Sequence, residues 1–82
     1  MGLWENGIMK GGAEMKVKAN RRLIAARAEH GYTIRELSKV SGVPTATISR
    51  AENGKSLSVK SAGKLCRALD GTFEELFEVE DR

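Results

Sequence analysis

Residues that form covalent or metal cross-links are almost absent from this sequence, which has one cysteine and one histidine among its 82 residues. A single cysteine excludes an internal disulfide framework, and no CxxC motif or Cys/His cluster offers a metal site. No nucleophile–base pair, carboxylate dyad or metal set can be assembled from one histidine and one cysteine. We therefore expect no catalytic residue, no metal and no cofactor, and an enzyme is the least favoured class of function.

Long apolar segments are also lacking. No run approaches the roughly 18 apolar residues that a membrane span needs, and the N-terminal region lacks the continuous apolar core of a signal peptide. With 82 residues and 40% hydrophobic content, the chain can form one small domain with a marginal core. We expect a soluble protein of the cytoplasm, located at the nucleoid, with no membrane partner.

Residues 33–55 have the pattern of two short helices joined by a turn. Thr33 and Glu36 form a capping box, in which the threonine hydroxyl and the glutamate each accept a hydrogen bond from an otherwise unpaired amide. A helix should therefore begin near Thr33. Gly42 can end it because glycine adopts positive φ at little cost, and the fixed φ of Pro44 suits the start of a second helix. The stretch reads as a helix-turn-helix.

The second of these helices, roughly Thr45 to Asn53, has an unusual surface. Ile48 and Ala51 can pack inward, whereas the remaining side chains are small or able to form hydrogen bonds. Such a surface suits close approach to the major groove of DNA, where each base pair presents its own pattern of donors, acceptors and methyl groups. The outward residues are Thr45, Ala46, Thr47, Ser49 and Arg50.

Several short motifs occur together between about Arg21 and Phe77. They are Arg27 four residues before Gly31, Thr-x-x-Glu-Leu from Thr33, Ser-Gly-Val-Pro at residues 41–44, Ile48-Ser49-Arg50, Glu52-Asn53-Gly54-Lys55 and Leu76-Phe77. In these motifs the chain resembles the Cro/CI or Xre-type helix-turn-helix family of bacterial and phage regulators. Two positions depart from the family pattern, since Ile34 stands where a phosphate-binding glutamine is usual and Ala51 where a larger aliphatic residue is usual.

The resemblance implies which residues meet DNA. Thr45, Ala46, Ser49 and Arg50 match the groove-facing positions of the family's recognition helix. Their chemistry agrees, because arginine can bond guanine O6 and N7 while the methyls of Ala46 and Thr45 can meet a thymine methyl. Phosphate contacts are expected where helix-start amides, hydroxyls or cations can reach the DNA backbone, namely at Thr33, Arg35, Thr47, Asn53, Lys55 and Lys60.

The resemblance also implies a partly buried ion pair between Arg27 and Glu52. It would tie helix one to the end of helix three, and its role would be structural. Removal of one partner would leave an uncompensated charge. The alternative is that these residues are two unrelated surface charges.

The expected fold is an all-α, compact five-helix domain of the lambda-repressor type. Residues 1–16, with several glycines, are predicted to form a flexible N-terminal arm, residues 17–78 the helix-turn-helix DNA-binding domain, and residues 79–82 an acidic C-terminal tail. Leu3, Trp4 and Ile8 in the arm either dock on the domain or a second subunit, or belong to an overlong start of the chain.

Three further helices flank the helix-turn-helix. Helix one has Asn20 as its N-cap, and its inner and flanking residues are Leu23, Ile24, Ala26, Arg27 and Ala28. Helix four is capped by Ser58 or Ser56, and its apolar stripe is Val59, Ala62, Leu65, Cys66 and Leu69. Within it Gly63 suggests close helix contact, and Cys66 should be a buried hydrophobe rather than a redox sensor. Helix five opens with a second capping box, Thr72 and Glu75.

The predicted core is Leu37, Val43, Ile48, Leu65, Leu69 and Phe73.

Positive charge is concentrated around the helix-turn-helix. Residues 16–55 carry nine Lys/Arg against three Asp/Glu, although the net charge of the whole chain is only +3. The coincidence of a basic region with this motif favours a nucleic-acid partner. We predict a sequence-specific transcriptional regulator of double-stranded DNA, most simply a repressor that occupies an operator. The resemblance implies a homodimer on a pseudo-palindromic operator, with recognition helices roughly 34 Å apart.

Two other functions stay open. The chain could be the antitoxin of a toxin–antitoxin pair, but an antitoxin needs a segment that wraps its toxin, and the only spare segment is the short arm. It could also be a bridging cofactor whose helix-turn-helix contacts the transcription machinery, and such a protein would have no operator.

Overall fold

The computed structural model describes residues 16–79. Its helices are α1 (Arg21–Glu29), α2 (Ile34–Ser41), α3 (Thr45–Glu52), α4 (Val59–Leu69) and α5 (Phe73–Leu76), and its strands are β1 (Lys16–Ala19), β2 (Ser56–Ser58) and β3 (Phe77–Val79). The predicted arm and acidic tail lie outside the described residues except at their inner ends, where Lys16 begins β1 and Val79 ends β3. Within residues 16–79, no helix combines the length and the apolar character required to cross a bilayer.

Side chains cap four of the five described helices at their N-termini. Asn20 accepts a hydrogen bond from an amide in the first turn of α1, and the two predicted capping boxes, at Thr33 and Thr72, are confirmed. Ser58 caps α4, whereas the alternative residue, Ser56, lies in β2. Because each cap pairs an amide that has no partner inside its helix, the polar residues between the apolar stripes define where these helices begin.

A small sheet corrects the all-α expectation, although the five helices are confirmed. The strands are antiparallel in the order β2-β1-β3, and Val17 in the central strand is paired with Leu57 on one side and with Val79 on the other. Each strand has only three or four residues, which is too short for a period-two pattern to stand out. The pairing partners of β1 are also some 40 and 60 residues away in the chain, so no local turn signal joins them.

The core lies where α2, α3 and α4 pack together and against the inner face of the sheet. Its buried residues are Val17, Leu23, Leu37, Val43, Ile48, Ala51, Leu57, Ala62, Leu65, Cys66, Leu69, Leu76 and Phe77. Five of the six predicted core residues are in this set. The exception is Phe73, which is only partly buried, while Phe77 is the buried aromatic residue and stacks on Phe73 with 5.7 Å between the ring centroids.

Three apolar residues are exposed, one from the predicted apolar stripe of α4 and two from the predicted inner and flanking positions of α1. Val59 is the first residue of α4, so no preceding turn encloses it, and 44% of its surface is exposed. Ile24 follows the buried Leu23 and is turned about 100° away from it around α1, which leaves 43% of its surface exposed. Ala28 on the same helix is also exposed. Helical periodicity places these residues at the margin of a buried stripe. At such positions, burial depends on whether a neighbouring helix or strand covers the side chain.

Cys66 is buried in α4, as predicted from its position in the apolar stripe. Burial raises the pKa of its thiol, and the nearby positive charge of Arg67 only partly opposes this effect. A buried thiol with a raised pKa stays protonated at neutral pH and is a poor nucleophile. Cys66 therefore serves as a small apolar packing residue.

Gly63 does not mark a close helix contact, contrary to the prediction. Among the described residues, a Cβ atom added there would meet no atom within 4 Å apart from the adjoining residues and the backbone of its own helix. Gly54, by contrast, follows α3 with φ +85°, a left-handed conformation that residues with a Cβ atom adopt only at a cost. The two glycines are therefore expected to respond in opposite ways to the same substitution.

We expect Gly63→Ala to stabilise the domain by about 0.5–1 kcal/mol, because alanine favours the helix and the site is open. Gly54→Ala should destabilise it by about 1–2 kcal/mol. Urea unfolding followed by circular dichroism measures both free energies. A loss of stability in Gly63→Ala would show that the surface of α4 is packed against another part of the chain.

Leu65→Ala should lower the free energy of unfolding by about 2–5 kcal/mol, because this fully buried side chain leaves a cavity when truncated. Val40→Ala is the matched control, since 53% of the Val40 surface is exposed and surface substitutions usually change stability by less than about 0.5 kcal/mol. A loss below about 1 kcal/mol in Leu65→Ala would contradict the packing of α4.

Candidate nucleic-acid interface

The turn between α2 and α3 is fixed by local hydrogen bonds and one buried side chain. Gly42 adopts φ +81° and donates its amide hydrogen to the Ser38 carbonyl at 2.8 Å. The next amide, that of Val43, donates to Ser41 Oγ at 3.1 Å, and the Val43 side chain is 1% exposed. Pro44 then forms the N-cap of α3. Because Val43 is held in the core while the backbone reverses around it, α3 leaves the turn in a defined direction.

Arg27 and Glu52 form an ion pair that links α1 to the last residue of α3. Arg27 Nε lies 2.6 Å from Glu52 Oε2, and Arg27 Nη2 lies 3.0 Å from Oε1, which makes the pair bidentate. The two side chains are 20% and 10% exposed. The hydrogen bond to Glu52 raises the pKa of Arg27 above its ordinary range although burial opposes the shift. Because this pKa is raised, the stability that the charged Arg27 guanidinium contributes is lost only in strongly alkaline solution. The ion pair therefore persists at neutral pH.

A second partner of Arg27, besides Glu52, was not foreseen from the sequence. Its Nη1 donates to the backbone carbonyl of Tyr32 at 2.9 Å, and the Tyr32 amide donates to the Arg27 carbonyl at 3.1 Å. Tyr32 lies between α1 and α2, so one guanidinium connects α1, the start of the helix-turn-helix and the end of α3. A backbone acceptor is present at every residue, and no sequence signal could have identified this one.

The four predicted base contacts lie together on the outward face of α3. Ile48 and Ala51 are buried on the opposite face. Thr45, Ala46 and Arg50 are exposed and Ser49 is half-buried. Within residues 16–79 the Arg50 guanidinium forms no ion pair or hydrogen bond with another side chain, so it is available to an outside partner. The face consists of small side chains with one long cation near its C-terminal end.

The N-terminus of α3 differs from those of the other described helices because no side chain caps it. The Pro44 side chain has no hydrogen-bond acceptor. The first amides of α3 that form a hydrogen bond are those of Thr47 and Ile48, which donate to the backbone carbonyl of Pro44 at 3.0 and 3.1 Å. The amides of Thr45 and Ala46 precede the intrahelical hydrogen bonds. Their N–H groups thus lie at the start of α3, next to the side chains of the candidate base contacts. A hydrogen-bond acceptor is favoured at this position.

The six predicted phosphate contacts fall on three separate segments. Thr33 and Arg35 lie at the start of α2, Thr47, Asn53 and Lys55 lie in or just after α3, and Lys60 lies in the first turn of α4. All are exposed except Thr47, which is half-buried on the side of α3 that turns toward the core. Thr47 is therefore less accessible than the other five.

Two of these residues also have structural roles. The Thr33 hydroxyl accepts a hydrogen bond from the Glu36 amide at 3.0 Å, so it can offer only its own hydrogen to a phosphate. Asn53 ends α3 and donates from its side-chain amide to the Ser49 carbonyl at 2.9 Å. Lys55 is held close by, since its backbone amide donates to the Arg50 carbonyl at 3.0 Å. The loop after α3 is thus anchored to the helix while its lysine side chain stays exposed.

Ile34, the departure from the family pattern, packs against the core as a partly buried residue. Its side chain has no hydrogen-bond donor. No phosphate contact can therefore come from the side chain at this position, and the start of α2 has only Thr33, Arg35 and backbone amides for that purpose.

One surface groove lies away from the helix-turn-helix. It has a volume of about 230 Å³ and is lined by Arg22, Ala25, Ala26, Glu29, Glu75 and Leu76 from α1 and α5. None of these residues is a predicted DNA contact. This groove is therefore not part of the candidate interface on α3 and its flanking segments.

Arg27→Ala should destabilise the domain by on the order of 3 kcal/mol, because it leaves the largely buried Glu52 carboxylate without its partner. Arg35→Ala is the control, since Arg35 is exposed and forms no ion pair within residues 16–79. Denaturant unfolding gives both values. If Arg27→Ala unfolds at the same denaturant concentration as the parent, the ion pair contributes nothing to the fold and Arg27 is better understood as a ligand for DNA.

Comparison with known proteins agrees with this architecture. A family model described as helix-turn-helix matches residues 23–76, which is more than half of the chain. No curated protein and no solved structure matches the chain significantly. The matched region runs from α1 to α5 and contains the whole candidate interface. The chain belongs to the Cro/CI-type, or Xre, helix-turn-helix family of DNA-binding transcription regulators.

Proposed function

We propose that the protein is a sequence-specific repressor that binds a pseudo-palindromic operator as a homodimer. The observation that carries the proposal is the outward face of α3, which combines small side chains, a helix start with no side-chain cap, and an exposed arginine that has no ion-pair partner in the described part of the chain. Such a face can approach the floor of the major groove closely. A repressor of this kind acts by occupying the operator and excluding the polymerase.

Sequence readout is assigned to Thr45, Ala46, Ser49 and Arg50. Arginine can donate two parallel hydrogen bonds to guanine O6 and N7, whereas the methyl groups of Thr45 and Ala46 fit beside a thymine methyl. Ser49 lies one helical turn after Thr45 on the same face and can donate to or accept from a base edge. Each contact depends on the chemistry of one base pair, so these residues set specificity.

Affinity and register are assigned to the phosphate contacts. Lys55 and Lys60 stand on either side of β2, while Arg35 extends from the start of α2. Hydrogen bonds and charge on the phosphates fix the protein on the duplex and carry no direct sequence information. A second subunit would place its own α3 about 34 Å away, one DNA turn along the same side of the duplex.

The operator can be identified by selecting bound duplexes from a random pool. On the selected duplex, Arg50→Ala should weaken binding by about 1–3 kcal/mol, with much less effect on random DNA, because a base contact is lost. Lys55→Ala should weaken binding to both duplexes and reduce the slope of log K against log salt by about one unit. Arg50→Lys is the matched variant, since it keeps the charge but loses the bidentate geometry.

The outcome that contradicts this proposal is equal weakening of operator and random DNA by Arg50→Ala. Failure to select any preferred duplex would have the same consequence. In either case α3 would not read bases, and a role in bridging other proteins of transcription, or as an antitoxin, would replace the repressor.

A further inference from the structure

The outer surface of α1 bears charges that oppose the dipole of its own helix. The N-terminal end of a helix favours negative side chains, and the C-terminal end favours positive ones. In α1 the first turn has no acidic residue and begins with two arginines, the second of which is Arg22, whereas Glu29 is the last residue. The basic residue of the last turn, Arg27, is already paired with Glu52. In the described part of the chain neither Arg22 nor Glu29 forms an ion pair, so both charges are available to a partner outside the domain.

These two charges lie at the ends of a groove that has small apolar side chains between them. The residues of α1 that line the groove recur at spacings of three and four, so they share one side of the helix; they are Arg22, Ala25, Ala26 and Glu29. With a rise of about 1.5 Å per residue, the two charged residues stand about 10 Å apart along the helix axis. Ala25 is exposed and Ala26 is half-buried. We call these four residues the α1 stripe.

The α1 stripe is complementary to itself. When two copies of α1 pack antiparallel about a twofold axis, Arg22 lies opposite the partner's Glu29, and the symmetry forms this ion pair twice. The alanines meet where the helices cross, and small side chains at that point let the two helix axes approach closely. Each charge also faces the end of the partner helix that favours it, because Arg22 meets a C-terminus and Glu29 meets an N-terminus. The same two charges that oppose the dipole of their own helix therefore suit the dipole of a second copy.

The other wall of the groove leaves these charges free. It consists of Glu75 and the buried Leu76. The Glu75 carboxylate accepts a hydrogen bond from the Thr72 amide at 3.1 Å as part of the cap of α5, and no ion pair joins it to Arg22 in the described part of the chain. None of the groove residues is a proposed DNA contact, so a partner in the groove uses none of the residues assigned to the operator.

We propose that the α1 stripe is the surface through which the protein associates with itself, and that the partner it binds is α1 of a second copy, packed antiparallel. The proposal rests on the homodimer of the proposed function and assigns its interface. Two helical turns form a small contact, so the dimer should be weak in free solution and become tighter when both subunits hold adjacent half-sites of one duplex.

Charge reversal with rescue tests the interface in the full chain by sedimentation equilibrium. The parent should associate reversibly to a dimer below about 1 mM. Arg22→Glu and Glu29→Arg should each weaken the dimer roughly 10- to 100-fold, because by symmetry each change turns two attractions into two repulsions. The variant that carries both changes forms the two ion pairs with their signs exchanged and should recover most of that loss.

Ala25→Gln tests the close approach of the helices without a change of charge. Glutamine favours the helix, but its bulk at the crossing point should weaken the dimer by about tenfold. Ala28→Gln is the matched control, since Ala28 is an exposed residue of α1 that does not line the groove. Arg21→Glu is the control for charge reversal on the same grounds. Both controls should dimerise like the parent.

Thermal melting followed by circular dichroism establishes that each variant is folded. Both reversals place charge where the dipole of α1 favours it, so they should not lower the melting temperature. If a reversal is nevertheless unfolded, the comparison of Ala25→Gln with Ala28→Gln decides.

A parent that stays monomeric at about 1 mM overturns the proposal, as does a folded single reversal that dimerises like the parent or a double variant no stronger than the single ones. These failures differ from failure of the proposed function, because the variants leave α3 unchanged. If Arg50→Ala still separates the operator from random DNA, sequence-specific binding stands and the α1 stripe is not the dimer interface. If no duplex is selected but reversal and rescue behave as expected, the stripe is the interface of a dimer with another function.

Discussion

The hydrogen bonds of a single guanidinium set the geometry on which the candidate DNA interface depends. Arg27 reaches Glu52 at the end of α3 and the backbone of Tyr32 just before α2. The start of α2 and the end of α3 are therefore both hydrogen-bonded to the same side chain of α1. A planar, bidentate pair restrains direction as well as distance, which the apolar core alone does not do. The net energy of a partly buried pair can be small, so its main contribution is to orientation.

Helix α3 has little stability of its own. It has eight residues, of which only Ile48 and Ala51 are buried, and a helix of that length is marginal in isolation. Its conformation is maintained by the Gly42 turn, by the loop at Asn53 and by packing on α2. Because stability comes from neighbouring elements, the outward residues of α3 can change without loss of the fold. One scaffold can thereby present different contact surfaces.

The helices could be predicted from the sequence because their signals are local. Capping boxes at Thr33 and Thr72 and the glycine at position 42 act over three or four residues, and all appear in the structure. The sheet could not, since β1 pairs with strands far along the chain and each strand is very short. The ordering of Phe73 and Phe77 within the core was missed for a related reason, because helical spacing cannot tell that the chain becomes extended at Phe77. For the candidate interface, resemblance and residue chemistry led to the prediction of α3 and its flanking segments, whereas the acceptor at Tyr32 required coordinates.

The antiparallel pairing of β1 with β3 also decides how the domain bears a mechanical load. Val17 is paired with Val79, so the chain enters the described domain and leaves it at the same end of the sheet. A force that pulls these two points apart acts along the β1–β3 hydrogen bonds and breaks them one after another. Any neighbour attached through both ends would therefore pull directly on the β1–β3 pair.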